Sequence, residues 1–144
     1  MVRGATGRRR LKVLVLVAGC SGGCSSGPNM GEPCLDDSKA CIDSRVATVN
    51  GMVTDPSKAW INATPTRGTY ASGVRLFAWR SSKDRLTCEE LAAGLREMAA
   101  AKMSLSQGPL PGTTAERNNQ VKAMTDDAAA ELARTAKAKQ CKVG

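Results

Sequence analysis

The first twenty residues constrain the rest of the chain most, because they separate a leader from the part that folds. A basic start without carboxylates is followed by an apolar run at residues 11–17, interrupted only by Lys12, and then by two small residues before Cys20. A run of this length is also typical of a buried strand, but the flanking charges favour an export signal. About ten apolar residues reach only ~15 Å as a helix, against the ~30 Å hydrocarbon core of a bilayer. We therefore expect residues 1–19 to be a signal that is removed.

The join Val17-Ala18-Gly19-Cys20 resembles the lipobox of bacterial lipoproteins, in which one aliphatic and two small residues precede the modified cysteine. The resemblance is confined to residues 1–20. It implies that Cys20 is thioether-linked to diacylglycerol, that the lipoprotein signal peptidase cleaves before it, and that fatty acids such as palmitate anchor the protein. By the same resemblance, the serine at position 21 implies the outer membrane, periplasmic side, in a Gram-negative cell. In other bacteria the anchor would hold the domain on the outer face of the cell membrane.

Residues 20–33 are expected to form a flexible lipidated tether, because glycine and serine dominate them and almost nothing there could be buried. Each buried methylene of an acyl chain contributes about 0.8 kcal/mol, so two or three chains anchor a protein durably. The predicted organisation is therefore a signal at 1–19, a tether at 20–33 and one helical domain at 34–144.

The net charge of +8 is largely a property of the leader. Residues 1–19 hold five of the 21 cations and no carboxylate, so the remainder carries 16 cations against 13 carboxylates, a net charge of +3. These charges are scattered, and no basic stripe is left for phosphate contacts. We therefore predict no nucleic-acid partner.

Five cysteines remain besides Cys20, and export would place them in an oxidising compartment. An odd number leaves one over, and Cys24 in the tether is the candidate. The four others allow three pairings; they are Cys34, Cys41, Cys88 and Cys141. We favour Cys34 with Cys41 and Cys88 with Cys141, a short loop and a long one. A metal or redox role is disfavoured, because the chain has no histidine and no Cys-x-x-Cys spacing.

Helical periodicity recurs through the first half of the predicted domain. From Ser38, apolar residues recur on one helical face and Asp55-Pro56 ends the pattern; they are Ile42, Val46, Val49 and Val53. A short helix is expected from Pro56 through Trp60. The pattern at residues 69–82 fits either a helix or a strand, and we favour the helix.

Two longer helices are expected in the second half. Thr87 and Glu90 form a capping-box pattern before a helix that runs to residue 103, with Leu91, Leu95 and Met98 as its apolar stripe. A second box at Thr113 and Glu116 precedes a helix to residue 140. Its stripe is shallow and consists of Val121, Met124, Ala128, Leu132 and Ala136. The fold predicted is mainly α, a small disulfide-stapled domain of three to four helices that ends in an antiparallel helical hairpin.

All four aromatic residues lie between positions 60 and 79, interleaved with arginines that are expected to form a solvated helix face. We interpret the aromatic residues as core. The alternative is a small-ligand binder or inhibitor that uses segment 60–85, with a ligand face of Trp60, Tyr70, Arg75 and Trp79. Catalysis lacks its usual residues, and capping accounts for Glu89 and Glu90, so no enzyme, metal or cofactor is predicted. The favoured hypothesis is a membrane-anchored envelope lipoprotein that acts as a non-enzymatic interaction or accessory protein with an envelope protein as its partner.

Overall fold

The computed structural model describes residues 33–142, and all regular structure within that range is helical. Five α-helices follow one another: α1 (Lys39–Thr54), α2 (Arg67–Ser72), α3 (Val74–Ser82), α4 (Cys88–Leu105) and α5 (Ala115–Ala138). Two short 3₁₀ helices connect them, at Ala59–Asn62 and Lys83–Arg85. The predicted mainly helical, disulfide-stapled domain is confirmed.

Side-chain caps explain where the helices begin. Ser38 accepts a hydrogen bond from the backbone N–H of Cys41 at the start of α1. At α4, the predicted capping box between Thr87 and Glu90 is present in both directions. Each cap gives a partner to a backbone N–H that the helix leaves unpaired.

The start of α5 differs from the prediction by one residue. Thr114, not Thr113, is the N-cap and accepts from the N–H of Arg117. Glu116 then stands one position too early to close a capping box, and the Thr113 hydroxyl donates to the carbonyl of Leu110 instead. The prediction of a second box was therefore wrong, although the helix itself is present.

Residues 69–82 are helical, as favoured, but they belong to two helices. Gly73 separates α2 from α3 with φ of 80°, a left-handed conformation in which only glycine is free of strain. This break gives five helices where three to four were expected. The short helix expected at 56–60 is a 3₁₀ helix at Ala59–Asn62, whose N-terminal side is held by the Asp55 carboxylate accepting from the N–H of Ala59.

Helices α4 and α5 form the predicted antiparallel hairpin, and it is closed at both ends. The Cys88–Cys141 disulfide joins the start of α4 to the residues after α5, with Cα atoms 5.3 Å apart. At the other end, the Asn118 side chain donates to the carbonyl of Leu105 at 3.1 Å. All members of the predicted α5 stripe are buried except Met124, which is half-buried.

Helix α1 packs mainly against α3, and a second disulfide, Cys34–Cys41, fixes the chain that leads into it. Its buried residues are Cys41, Arg45 and Met52. The predicted stripe was therefore wrong about which face turns inward, because Ile42 and Val46 are 42% and 53% exposed. The face of α1 that is turned inward contains Cys41, with its disulfide, and Arg45, with its hydrogen bonds. Each of these residues stands one position before the predicted apolar residues Ile42 and Val46.

Candidate functional site

The predicted ligand face lies inside the protein. Trp60, Tyr70, Arg75 and Trp79 are all buried, and the two indole rings meet edge to face with centroids 4.8 Å apart. Neither indole N–H has a hydrogen-bond partner among the described residues. The interpretation of the aromatic residues as core is therefore confirmed for Trp60, Tyr70 and Trp79, and it was wrong for Phe77, which is 43% exposed at the surface of α3.

Arg75 departs from the expected solvated arginine face, since its side chain is 0% exposed. Its guanidinium donates to both carboxylate oxygens of Glu97 in α4 and to the backbone carbonyl of Trp60. It also lies over the Trp60 ring, 5.4 Å from the centroid. A buried cation needs such a set of partners, because losing its hydration is costly. Arg75 thus joins the first 3₁₀ helix, α3 and α4.

Tyr70 stands beside this ion pair. Burial and the negative charge of Glu97 raise the pKa of the Tyr70 phenol, and the positive charge of Arg75 opposes them only in part. A raised pKa keeps the phenol neutral and makes it a poor proton acceptor near neutral pH. Tyr70 is therefore a neutral core residue.

The opening between α1 and α3 is a groove of about 330 Å³. Three of the four large apolar residues that are exposed in the described part of the chain line it: Ile42, Val46 and Phe77. Val49 and the buried Val74 continue the apolar wall, and Ser72 and Ser81 supply hydroxyls. This concentration of exposed apolar surface marks the groove as the main candidate site, since single exposed apolar residues are ordinary but grouped ones are not.

Two arginines stand at the end of the groove nearest the start of α1. Arg45 donates to the backbone carbonyls of Cys34 and Asp36 and to the Asp37 carboxylate. Arg117, from α5, donates to the same Asp37 oxygen. One carboxylate is thus shared by two guanidinium groups, and the Asp36 carboxylate, whose pKa is lowered by hydrogen bonds from Ser38 and by the charge of Arg45, adds a second negative charge beside them.

Sequence reasoning did not find this groove. The same apolar residues were assigned to the core because their helical spacing is that of a buried face. The signal that could have corrected the assignment is the Cys41 and Arg45 pair, one turn apart on the neighbouring face. Once Cys41 is bonded to Cys34, that face is held toward the protein.

Capping was predicted to account for both carboxylates at the start of α4, and within the described residues it does so for Glu90 but not for Glu89. Glu90 accepts from the N–H of Thr87 and from the Lys58 ammonium at 2.7 Å. Partial burial acts to raise the pKa of Glu90. The hydrogen bonds from Lys58 and Thr87 together lower it by a larger amount, so its pKa lies below the ordinary value. Glu89 is exposed and makes no ion pair within residues 33–142. The arrangement locks the first 3₁₀ helix to α4.

Of the predicted covalent sites, the disulfide candidates are paired as favoured, Cys34 with Cys41 and Cys88 with Cys141. Cys20 and Cys24 lie outside the described residues. Within residues 33–142 no group of three or more histidine, cysteine, aspartate or glutamate side chains is placed to hold a metal ion. No helix in that range has the length and apolarity needed to cross a membrane.

Comparisons of the chain with protein-family models, with curated proteins and with solved structures found no significant match.

Proposed function

We propose that this chain is the precursor of a bacterial lipoprotein, anchored in the cell envelope through Cys20 and acting there as a non-enzymatic interaction or accessory protein. The observation that carries the proposal is the Val17-Ala18-Gly19-Cys20 join together with two disulfides in the domain that follows. Disulfides persist in oxidising compartments outside the bacterial cytosol. The join and the disulfides are separate features that agree on export.

An interaction role is supported by how the ionisable side chains are used. Glu97 and Glu131 pair with Arg75 and Arg80, and Glu90 caps α4 while it binds Lys58. Carboxylates held in this way stabilise contacts between helices and are poor general acids or bases. Exposed apolar residues, in contrast, collect at the groove between α1 and α3, where a domain of this kind offers a contact surface.

The proposed site of action follows from the anchor. In a Gram-negative cell the domain would stand on the periplasmic side of the outer membrane, and in other bacteria on the outer face of the cell membrane. Its neighbours there are envelope proteins and lipid. We therefore propose an envelope protein as its partner and no nucleic acid.

Lipidation is tested by growing bacteria that produce the chain with an alkyne-bearing palmitate analogue. We expect the wild-type chain to incorporate the label and its mature form to begin at Cys20 by mass spectrometry. Cys20→Ala should abolish labelling and leave the precursor uncleaved. Cys24→Ala is the matched control, a neighbouring cysteine whose loss should change neither result. A Cys20→Ala chain that is still labelled and cleaved would refute the anchor.

The partner is tested by crosslinking in intact cells followed by purification. We expect the wild-type chain to recover one defined envelope protein, and Cys20→Ala to lose it because the domain is then no longer at the membrane. Recovery of lipid alone would refute the interaction role and leave the anchor in place.

A further inference from the structure

The two disulfides differ in the surroundings of their sulfur atoms. In the shorter loop Cys34 is exposed, whereas Cys41 is 4% exposed and stands in the first turn of α1. A thiolate from outside therefore reaches Cys34, and the sulfur that it displaces is that of Cys41. Such an exchange is faster when the displaced sulfur is more stable as a thiolate. The surroundings of Cys41 thus decide how readily this bond exchanges.

Two features stabilise a thiolate at Cys41. The Arg45 side chain is nine-tenths buried, and its Nη1 donates to the Cys41 sulfur at 3.4 Å. A guanidinium keeps its charge throughout the pH range in which thiols titrate. Cys41 is also the third residue of α1, where the positive pole of the helix favours a negative charge. A nearby cation and a helix N-terminus are the surroundings that make a cysteine acidic.

The carboxylates near Cys41 act in the opposite direction, but their charges are already matched. Asp37 pairs with both Arg45 and Arg117. The Asp36 carboxylate accepts a hydrogen bond from a backbone N–H. These two carboxylates and two guanidinium groups balance, so a thiolate at Cys41 adds its charge to a neutral group and not to a negative one.

The Cys88–Cys141 bond lacks this arrangement. Cys88 is exposed as well, but attack on it displaces the half-buried Cys141, which follows the C-terminal end of α5. The negative pole of that helix disfavours a thiolate there. Attack on Cys141 displaces Cys88 instead, beside the exposed Glu89 carboxylate. Within residues 33–142 no arginine or lysine donates to either sulfur, and Lys139 donates to two backbone carbonyls. This bond is therefore the less reactive of the two.

We propose that the Cys34–Cys41 bond is a thiol–disulfide exchange site for an external dithiol, and that Cys34 is the sulfur attacked. One thiolate of the dithiol bonds to the Cys34 sulfur, the disulfide breaks, and its electron pair leaves on Cys41. The second thiolate of the dithiol then attacks the dithiol's own sulfur in the mixed disulfide and displaces Cys34. The dithiol loses two electrons and becomes a disulfide. Cys34 and Cys41 gain those electrons, and the protons of the dithiol pass through water.

The inference rests on the surroundings of the sulfurs and not on a Cys-x-x-Cys spacing, which the chain lacks. It depends neither on lipidation of Cys20 nor on an envelope partner. Cys41 belongs to the face of α1 that is turned inward, so reduction removes a covalent restraint on that helix. The hairpin keeps its own disulfide, Cys88–Cys141.

The test is a competition between the two bonds for dithiothreitol. The full chain carries Cys20→Ser and Cys24→Ser, so that only the four cysteines of the two disulfides remain. The oxidised chain is incubated with dithiothreitol, quenched at intervals with N-ethylmaleimide and mapped by mass spectrometry. We expect the Cys34–Cys41 bond to open at least about tenfold faster than the Cys88–Cys141 bond.

A monothiol identifies the sulfur that is attacked. Glutathione has no second thiol with which to resolve a mixed disulfide, and N-ethylmaleimide then traps the sulfur that was displaced. We expect glutathione on Cys34 and N-ethylmaleimide on Cys41. The reverse pattern would contradict the proposed order of attack.

Substitution of Arg45 tests its role at the displaced sulfur. Arg45→Gln should slow the opening of the bond at least about threefold and raise the pKa of the Cys41 thiol in the reduced chain, measured by alkylation against pH. Arg45→Lys should restore part of both by returning the charge. A merely structural role would have the opposite effect on the rate, because a loosened segment exposes the bond. Arg117→Gln is the matched control: it removes a charge from the same Asp37 carboxylate and should have the smaller effect.

Circular dichroism checks that each variant is folded. Three results would overturn the proposal: equal rates for the two bonds, glutathione on Cys41 with Cys34 displaced, or an Arg45→Gln chain that opens as fast as the wild type or faster. The chain with Arg45 intact gives a further test that needs no folded variant. A Cys41 thiol with a pKa at or above the ordinary value of about 8.5 would also overturn the proposal.

Discussion

The α4–α5 hairpin and helix α1 differ in where their apolar residues lie. The hairpin buries Leu91, Met98, Val121 and Leu132 almost completely, and it is closed by a disulfide at one end and by the Asn118 bond at the other. Helix α1 contacts mainly α3 and leaves Ile42 and Val46 outside the core. The same helical spacing of apolar residues thus builds a core in one region and an open groove in the other. The difference arises from the contacts that fix the orientation of each helix about its own axis.

The largest expected effect separates the two disulfides. Chain entropy predicts that removing the Cys88–Cys141 bond by substituting both residues with alanine costs about 4 kcal/mol, against about 2.5 kcal/mol for Cys34–Cys41. The longer closed loop, with a sequence separation of 53 against 7, accounts for the difference. Urea unfolding of both double variants measures the two free energies. Equal losses would show that the hairpin does not depend on its staple more than α1 does.

Substitution of Arg75 tests how much its buried ion pair with Glu97, which joins α3 to α4, stabilises the protein. Arg75→Met keeps the buried stem but leaves the Glu97 carboxylate without its cation, so we expect a loss of about 3 kcal/mol in unfolding free energy. The double variant Arg75→Met, Glu97→Leu removes both charges and should recover most of that loss. Urea unfolding measures both. A single variant as stable as the wild type would mean that the ion pair contributes nothing to the core.

The same glycine-to-alanine substitution in α4 and in α1 compares how tightly the two helices are packed. A Cβ at Gly94 in α4 would stand 2.9 Å from the buried Trp79 ring, so Gly94→Ala should destabilise by about 1–3 kcal/mol. A Cβ at Gly51 in α1 would meet nothing within 4 Å, so Gly51→Ala should stabilise by about 0.5–1 kcal/mol through helix propensity. Thermal and urea unfolding should give changes of opposite sign. Changes of the same sign would contradict the difference in packing.

The smallest expected effect is a pH dependence at the start of α4. The pKa of Glu90 lies below its ordinary value in the folded protein. The stability that Glu90 contributes is therefore present above the ordinary pKa and is lost as the pH falls through the pKa of the folded state. Glu90→Gln should flatten stability against pH in that acidic range. Glu89→Gln is the matched control, because Glu89 is exposed beside it, and should leave the curve unchanged.

Much of this fold follows from the sequence. The Thr87 capping box and the α4 and α5 stripes were predicted because each depends on local spacing. The two disulfide pairings were favoured among three, because one closes a short loop and the other joins the start of one predicted helix to the end of the next. Gly73 was not recognised as a break, since the residues around it fit one continuous helical face. The rotation of α1 was also missed, because it is set by the contacts of Arg45 with residues 34–37, and no periodicity in a single helix encodes them.

The candidate site was harder to predict than the fold. Trp60 and Arg75 attract attention in the sequence as a ligand face, yet cation–π contact and ion pairing serve the core equally well. Arg117 gave no signal, because it lies 80 positions from the Asp37 carboxylate with which it pairs. Such a site exists only after the chain has folded, and its parts are ordinary surface residues in the sequence.

The Cys34–Cys41 bond has a mechanical consequence. Any pull on the N-terminal side of the domain enters at Cys34 and passes through sulfur into the first turn of α1 at Cys41. Helix α1 is attached mainly to α3, so that load would peel it away and widen the groove beside it. The hairpin contacts the segment before α1 through the Arg117–Asp37 ion pair, and its own ends are joined by Cys88 and Cys141. A force applied from that side would therefore act on the groove first and leave the remaining helices assembled.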